Sequence, residues 1–60
     1  MILVTRINDR DIYVNPGQIE LIEEVPDTTI TTIGGKKIIV RDTAEEIIEK
    51  IVAYKKRLSN

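Results

Sequence analysis

Few side chains in this sequence could do chemistry. The chain has no cysteine and no histidine, which removes thiolate and imidazole metal ligands and the commonest general base. Glu20, Glu23, Glu24 and Asp27 form an acidic group that could hold a hard cation, which takes several oxygen ligands. Their spacing matches no EF-hand loop, and a strand sends Glu23 and Glu24 to opposite faces. A solvated acidic rim accounts for them. Lys36-Lys37 follow two glycines, as in phosphate-binding loops, but a P-loop lysine opens a helix and these open a β-branched run. They read as solubility and edge protection at a hairpin tip. Lys55-Lys56-Arg57 could touch anionic lipid or RNA, but complementing the dipole at a helix C-terminus accounts for them. Ser59 has no base near it in sequence. Tyr13 and Tyr54 are of the type that anchors interfaces or packs at a sheet edge. No catalytic residue, cofactor-binding residue or metal ligand is expected, and no cofactor.

The 60 residues make one domain, 1–60, and a chain this short buries only about 60% of its unfolded surface. Trp and Phe are absent, so the core must be aliphatic. Oligomerisation is the expected extra source of stability. The net charge of −1 and pI of 5.3 give no electrostatic footprint for nucleic acid. No apolar run is long enough to span a bilayer, and Met1–Arg6 lacks the basic segment and cleavage site of a signal peptide. A cytoplasmic protein is expected.

The element that positions everything else is Pro26–Arg41. Two β-branched runs, 28–33 and 36–40, flank Gly34-Gly35, which predicts a two-residue type I′ hairpin with positive φ at both glycines. That register sets Ile33 opposite Lys36, Ile30 opposite Ile39 and Thr29 opposite Val40. Neither face is then cleanly polar, so the second face is expected to be covered, by the curling sheet or by another copy of the chain.

Ile2–Ile7 reads as the first strand, with Leu3 and Ile7 joining Ile12 and Val14 of the returning strand on the core face. Asn8-Asp9, or Asp9-Arg10, supplies the turn because Asn and Asp tolerate the left-handed region. Asn15-Pro16-Gly17 breaks the pattern. Gln18–Val25 is the third strand, Ile19 and Leu21 alternating against Glu20 and Ile22; a short helix over Pro16–Glu23 is the alternative. Pro26-Asp27 turns the chain into the central hairpin.

A helix over about 43–58 follows. Thr43 and Glu46 suit a capping box, with Asp42 and Glu45 as a competing register. Ala44, Ile47, Ile48, Ile51, Lys55 and Leu58 share its apolar face, with Val52 at its edge, and Glu46 pairs with Lys50 at i,i+4. Ser59-Asn60 should fray. The fold class is α+β: a small antiparallel sheet of four to five strands followed by one C-terminal amphipathic helix.

Read in order, Leu3-Val4-Thr5-Arg6-Ile7-Asn8, Val14-Asn15-Pro16, Ile19-Glu20-Leu21-Ile22-Glu23, Pro26-Asp27-Thr28, Ile30-Thr31, Gly35-Lys36-Lys37 and Glu45-Glu46-Ile47-Ile48 resemble the FlbD family of small flagellar proteins, also called swarming motility protein SwrD. The resemblance runs through nearly the whole chain. Asn8-Asp9 and Gly34-Gly35 stand where the family tends to have Asn-Gly, which bears on turn type. The resemblance implies a non-enzymatic cytoplasmic accessory protein at the cytoplasmic face of the flagellar motor, supporting swarming by raising motor power through the stator. Its partners would then be motor or stator proteins; chain size adds a homo-oligomer as the expectation, and charge and hydropathy make nucleic acid binding and membrane insertion unexpected. If the matched motifs mark an interaction surface, Asn15, Pro16, Glu20, Glu23, Pro26, Asp27 and Thr28 are the candidates; Asn15-Pro16 and Pro26-Asp27-Thr28 also serve as turn formers. The opening Met1–Arg6 is similar to the start of the carbon storage regulator family of small RNA-binding dimers. That similarity ends there, and leaves an RNA-binding regulator or a purely structural homo-oligomer as alternatives.

Overall fold

A computed structural model describes residues 1–59. The side chain of Ser59 and all of Asn60, where fraying is expected, lie outside the described residues. Five strands, β1 (Ile2–Thr5), β2 (Asp11–Val14), β3 (Ile19–Glu23), β4 (Thr28–Thr32) and β5 (Lys37–Val40), precede one helix, α1 (Ala44–Ser59). The α+β class and the C-terminal helix stand. The single sheet does not: β1 and β2 form one antiparallel sheet, and β3, β4 and β5 another. The two touch where Arg6 bridges Val40. There Ile7 donates its N–H to the Ile39 carbonyl at 3.1 Å, and Arg41 to that of Thr5 at 2.8 Å.

Both hairpins close in the same way, through three-residue loops, which for the second differs from the two-residue turn expected. In the second, Thr32 donates to the Lys36 carbonyl and Gly35 to the Thr32 carbonyl, so the loop is Ile33-Gly34-Gly35. Only Gly35 of the pair takes positive φ, at 90°. This is the three-residue hairpin, whose last loop residue is left-handed. In the first, Arg6 donates to the Arg10 carbonyl and Asp9 to that of Arg6, with Asp9 at φ 68°. The left-handed turn residue expected among Asn8 and Asp9 is therefore Asp9.

The third loop residue shifts the predicted register by one position. Ile30 pairs with Ile38, Thr29 with Ile39 and Thr28 with Val40. The physical reason is burial. In the two-residue register Ile30 and Ile38 lie on opposite faces, whereas the observed register stacks Ile22, Ile30 and Ile38 in one row across β3, β4 and β5. A one-residue slip inverts every side chain, and the register that gathers the isoleucines is the one formed.

The same logic corrects β1 and β3. Ile2 and Val4 are buried, pairing with Val14 and Ile12, while Leu3 is exposed beside Tyr13. The core face of β1 is thus the one opposite to Leu3 and Ile7. In β3 the register slips between Ile19 and Leu21, leaving Glu20 as the additional residue of a bulge. That insertion lets Ile19 and Ile22, three positions apart, both pack against the core. The helical alternative survives only as a short 3₁₀ turn, Pro16–Gln18, with the Asn15 side chain accepting from Gly17 N–H.

The core is Ile2, Val4, Val14, Ile30, Ile38, Val40 and Ile47. It is aliphatic throughout, and α1 contributes Ile47 with Ile51 and Tyr54 at its margin. The sheet does not curl over its own second face: Leu21, Ile39 and Ile7 on the outer face are exposed within one copy.

Candidate interaction surface

The capping box forms as read. Glu46 N–H donates to Thr43 Oγ1 at 3.1 Å, and Thr43 N–H to Glu46 Oε1 at 2.8 Å. A third group joins from far along the chain. Glu24 in the β3–β4 loop accepts the Ala44 N–H at 2.7 Å. The first turn of a helix leaves N–H groups without intrahelical partners and carries positive partial charge, so a carboxylate there is doubly suited. This bond holds the loop Glu24–Asp27 against the start of α1.

Because Glu46 is engaged in the box, it does not pair with Lys50 as expected. Lys50 Nζ donates to the Leu3 carbonyl at 2.7 Å and to Asp42 Oδ2 at 2.8 Å. Asp42 Oδ1 accepts the Thr5 N–H at 2.8 Å. Asp42 is therefore no competing cap. With Lys50 it occupies the edge of β1 where that strand parts from β5, satisfying backbone groups that a neighbouring strand would otherwise meet. Burial raises the Asp42 pKa, but the hydrogen bonds from Lys50 and Thr5 outweigh it and hold the carboxyl below its ordinary value.

Arg41 bridges the two sheets on the opposite side. It donates to the Ile7 carbonyl at 2.9 Å and pairs with Asp9 at 2.6 Å. Both partners of the ion pair are largely exposed, so its effect on stability is small.

Between these anchors lies an open groove of about 350 Å³ lined by Ile7, Glu24, Pro26, Asp27, Thr28, Val40, Arg41 and Thr43. It brings together Pro26, Asp27 and Thr28 of the sequence-predicted surface, with Glu23 at the neighbouring end of β3. Pro26 follows a cis peptide bond from Val25, and the Asp27 carbonyl accepts from Thr29 Oγ1 at 3.2 Å. Thr28 is buried opposite Val40 and holds β4 to β5. Asn15 and Pro16 lie at the other end of β3, where Gln18 accepts the Ile33 N–H from the hairpin tip. Glu20 sits exposed in the bulge. The seven residues thus do not form one patch; those exposed at the groove end are Glu23, Pro26 and Asp27.

Sequence reasoning missed Val25. Read as the end of a strand, it lies in the loop with 91% of its surface exposed. Its flanks, two glutamates before and Pro-Asp after, are the signal that it stands outside the sheet. Asp42 and Lys50 were legible as helix residues but not as strand-edge partners, because the groups they meet lie 37 and 47 positions away.

Among the described residues, no group of His, Cys, Asp or Glu could hold a metal ion. No helix of the described residues is long and apolar enough to cross a membrane. Neither a curated protein nor a solved structure matches the chain. Residues 1–59 match the FlbD family, described as flagellar and swarming motility proteins, and the chain belongs to that family.

Proposed function

We propose that this FlbD-family protein is a non-enzymatic accessory of the flagellum, supporting swarming by raising motor power through a protein contact near the stator at the cytoplasmic face of the motor. The family match along the chain carries the reading, since the family serves flagellar and swarming motility. The contact proposed here uses the β3–β4 loop. Val25 is the most exposed of the large hydrophobic side chains, held on a loop that Glu24 ties to the helix, with Glu23 and Asp27 beside it. An anchored apolar tip within an acidic rim suits a partner segment that is basic and apolar, because complementary charge steers encounter while apolar burial holds the complex.

The test is complementation of a deletion strain with Val25→Ser and with Glu23→Lys/Asp27→Lys, each first checked for an unchanged fold by circular dichroism. Reduced swarming and reduced single-motor torque with normal flagellar number is the expected result. Full torque in both variants would overturn the loop as the contact. A changed flagellar number in the deletion strain itself would overturn a role at the motor and direct attention to expression or assembly.

A further inference from the structure

We infer that α1 is also a self-association surface, on which a second copy of the chain docks its own α1 in antiparallel orientation. This face of α1 is separate from the β3–β4 loop, and pairing through it is independent of that contact.

The helix is apolar over a wider arc than its own domain covers. Ile47 is fully buried, yet Ile48 and Val52 are 53% and 46% exposed. Lys50 fixes one side of α1 to β1 through the Leu3 carbonyl. At 3.6 residues per turn, Ile48 and Val52 each lie about 160° around the helix from Lys50. They therefore face away from β1, and Ile51 between the two sides is only partly covered. The apolar face predicted from sequence included Ile48, with Val52 at its edge; within one copy these two stay bare. Ile48 and Val52 stand one turn apart on one exposed face and form a single apolar strip available for a contact.

Charge identifies the occupant. Along the same stripe Glu45 precedes Ile48, and Lys55 and Lys56 follow Val52. The stripe is acidic at its start, apolar in the middle with Glu49 on its flank, and basic at its end. Laid parallel, two such stripes set Glu45 against Glu45 and the lysines against lysines. Laid antiparallel about a two-fold axis at the level of Lys50, they set Ile48 of each copy beside Val52 of the other, and Glu45 beside Lys55. A two-fold interface uses the same patch on both subunits, and this patch complements itself only in that orientation. Opposite charges placed this way favour the antiparallel register over the parallel one. A domain of this size with so much aliphatic surface outside its core gains stability from the pairing. The interface is narrow, so the dimer should form at about micromolar to millimolar concentration rather than nanomolar.

Analytical ultracentrifugation of the full chain is the first test. The expected result is a concentration-dependent rise from the 6.8 kDa monomer to twice that mass. Val52→Glu should raise the dissociation constant at least ten-fold with unchanged circular dichroism. Glu45→Lys should weaken association, and Glu45→Lys/Lys55→Glu should restore it. Orientation is read by cross-linking, for which the absence of native cysteine gives a clean background. A mixture of Glu45→Cys and Lys55→Cys chains should form the mixed disulfide. Glu45→Cys alone should not, since its two copies stand about 15 Å apart along the axis of an antiparallel pair. A chain that stays monomeric to millimolar concentration, a dimer indifferent to Val52→Glu, or efficient Glu45→Cys self-cross-linking would each overturn the proposal.

Discussion

Asp42→Ala should be the most damaging single polar substitution outside the core, and the structure gives its size. Asp42 is a carboxylate with 11% of its side chain exposed, accepting from the Thr5 N–H and from Lys50. A hydrogen bond to a charged group contributes about 1.5–3 kcal/mol, and its removal leaves the Thr5 amide without its carboxylate acceptor. Lys50 is 39% exposed, so water screens its share, and the ion pair itself adds under about 1 kcal/mol. The expected loss is therefore about 2–3 kcal/mol, which in a domain this small lowers the melting temperature by about 10–20 °C. Asp42→Asn keeps the shape and one acceptor oxygen, so about half that loss is expected. The pH dependence separates charge from shape. The folded pKa of Asp42 lies below its unfolded value, so the unfolded chain binds the proton more readily. The stabilisation is complete above about pH 4 and is lost as pH falls through the folded pKa. Thermal melts of parent, Asp42→Ala and Asp42→Asn from pH 7 down to pH 2 test this, and the gap between parent and Asp42→Asn should narrow only in the acid range. Melting temperatures of Asp42→Ala and parent within about 3 °C at pH 7, or a gap independent of pH, would refute the role assigned to this residue.

The hairpin geometry makes its own prediction. Gly35→Ala should cost about 1–2 kcal/mol because φ is 90° there, whereas Gly34→Ala, with ordinary φ and no atom within 4 Å of the added carbon, should be neutral or slightly stabilising in urea melts. At the helix start, Thr43→Ala should cost about 1 kcal/mol through the lost capping box. Glu24→Gln should cost less, since an amide oxygen can still accept the Ala44 N–H; the added protection of the Glu24–Asp27 loop in the parent is readable by amide hydrogen exchange.

The β3–β4 loop and the helix show how far reading from the chain reaches. The capping box at Thr43 and Glu46 was legible because its partners lie three residues apart and need only a helix to meet. The turn positions were legible because Gly, Asn and Asp mark them locally. The strand faces of β1 and β3 were not. Leu3 and Ile2 are equally apolar, and alternation alone cannot tell which set turns inward. In β3, strict alternation separates Ile19 from Ile22, and only the bulge at Glu20 reunites them. Of the candidate surface, Pro26 and Asp27 were legible as a marked loop, but Val25 was hidden by its strand-like type, and Thr28 by polarity that does not reveal its burial.

By itself, the sequence determined an aliphatic, cysteine-free α+β domain with a C-terminal helix, two hairpins at known places and membership of a flagellar family, all properties carried by composition or by residues within a few positions of one another. Tertiary structure alone decided the three-residue loops, the division into two sheets, the side of α1 that is buried, and the partnership of Asp42 and Lys50 with the edge of β1. Each of those turns on which distant groups come into contact. Burying one isoleucine contributes about 1.5–3 kcal/mol, so where the local chain allows both arrangements the packed core makes the choice.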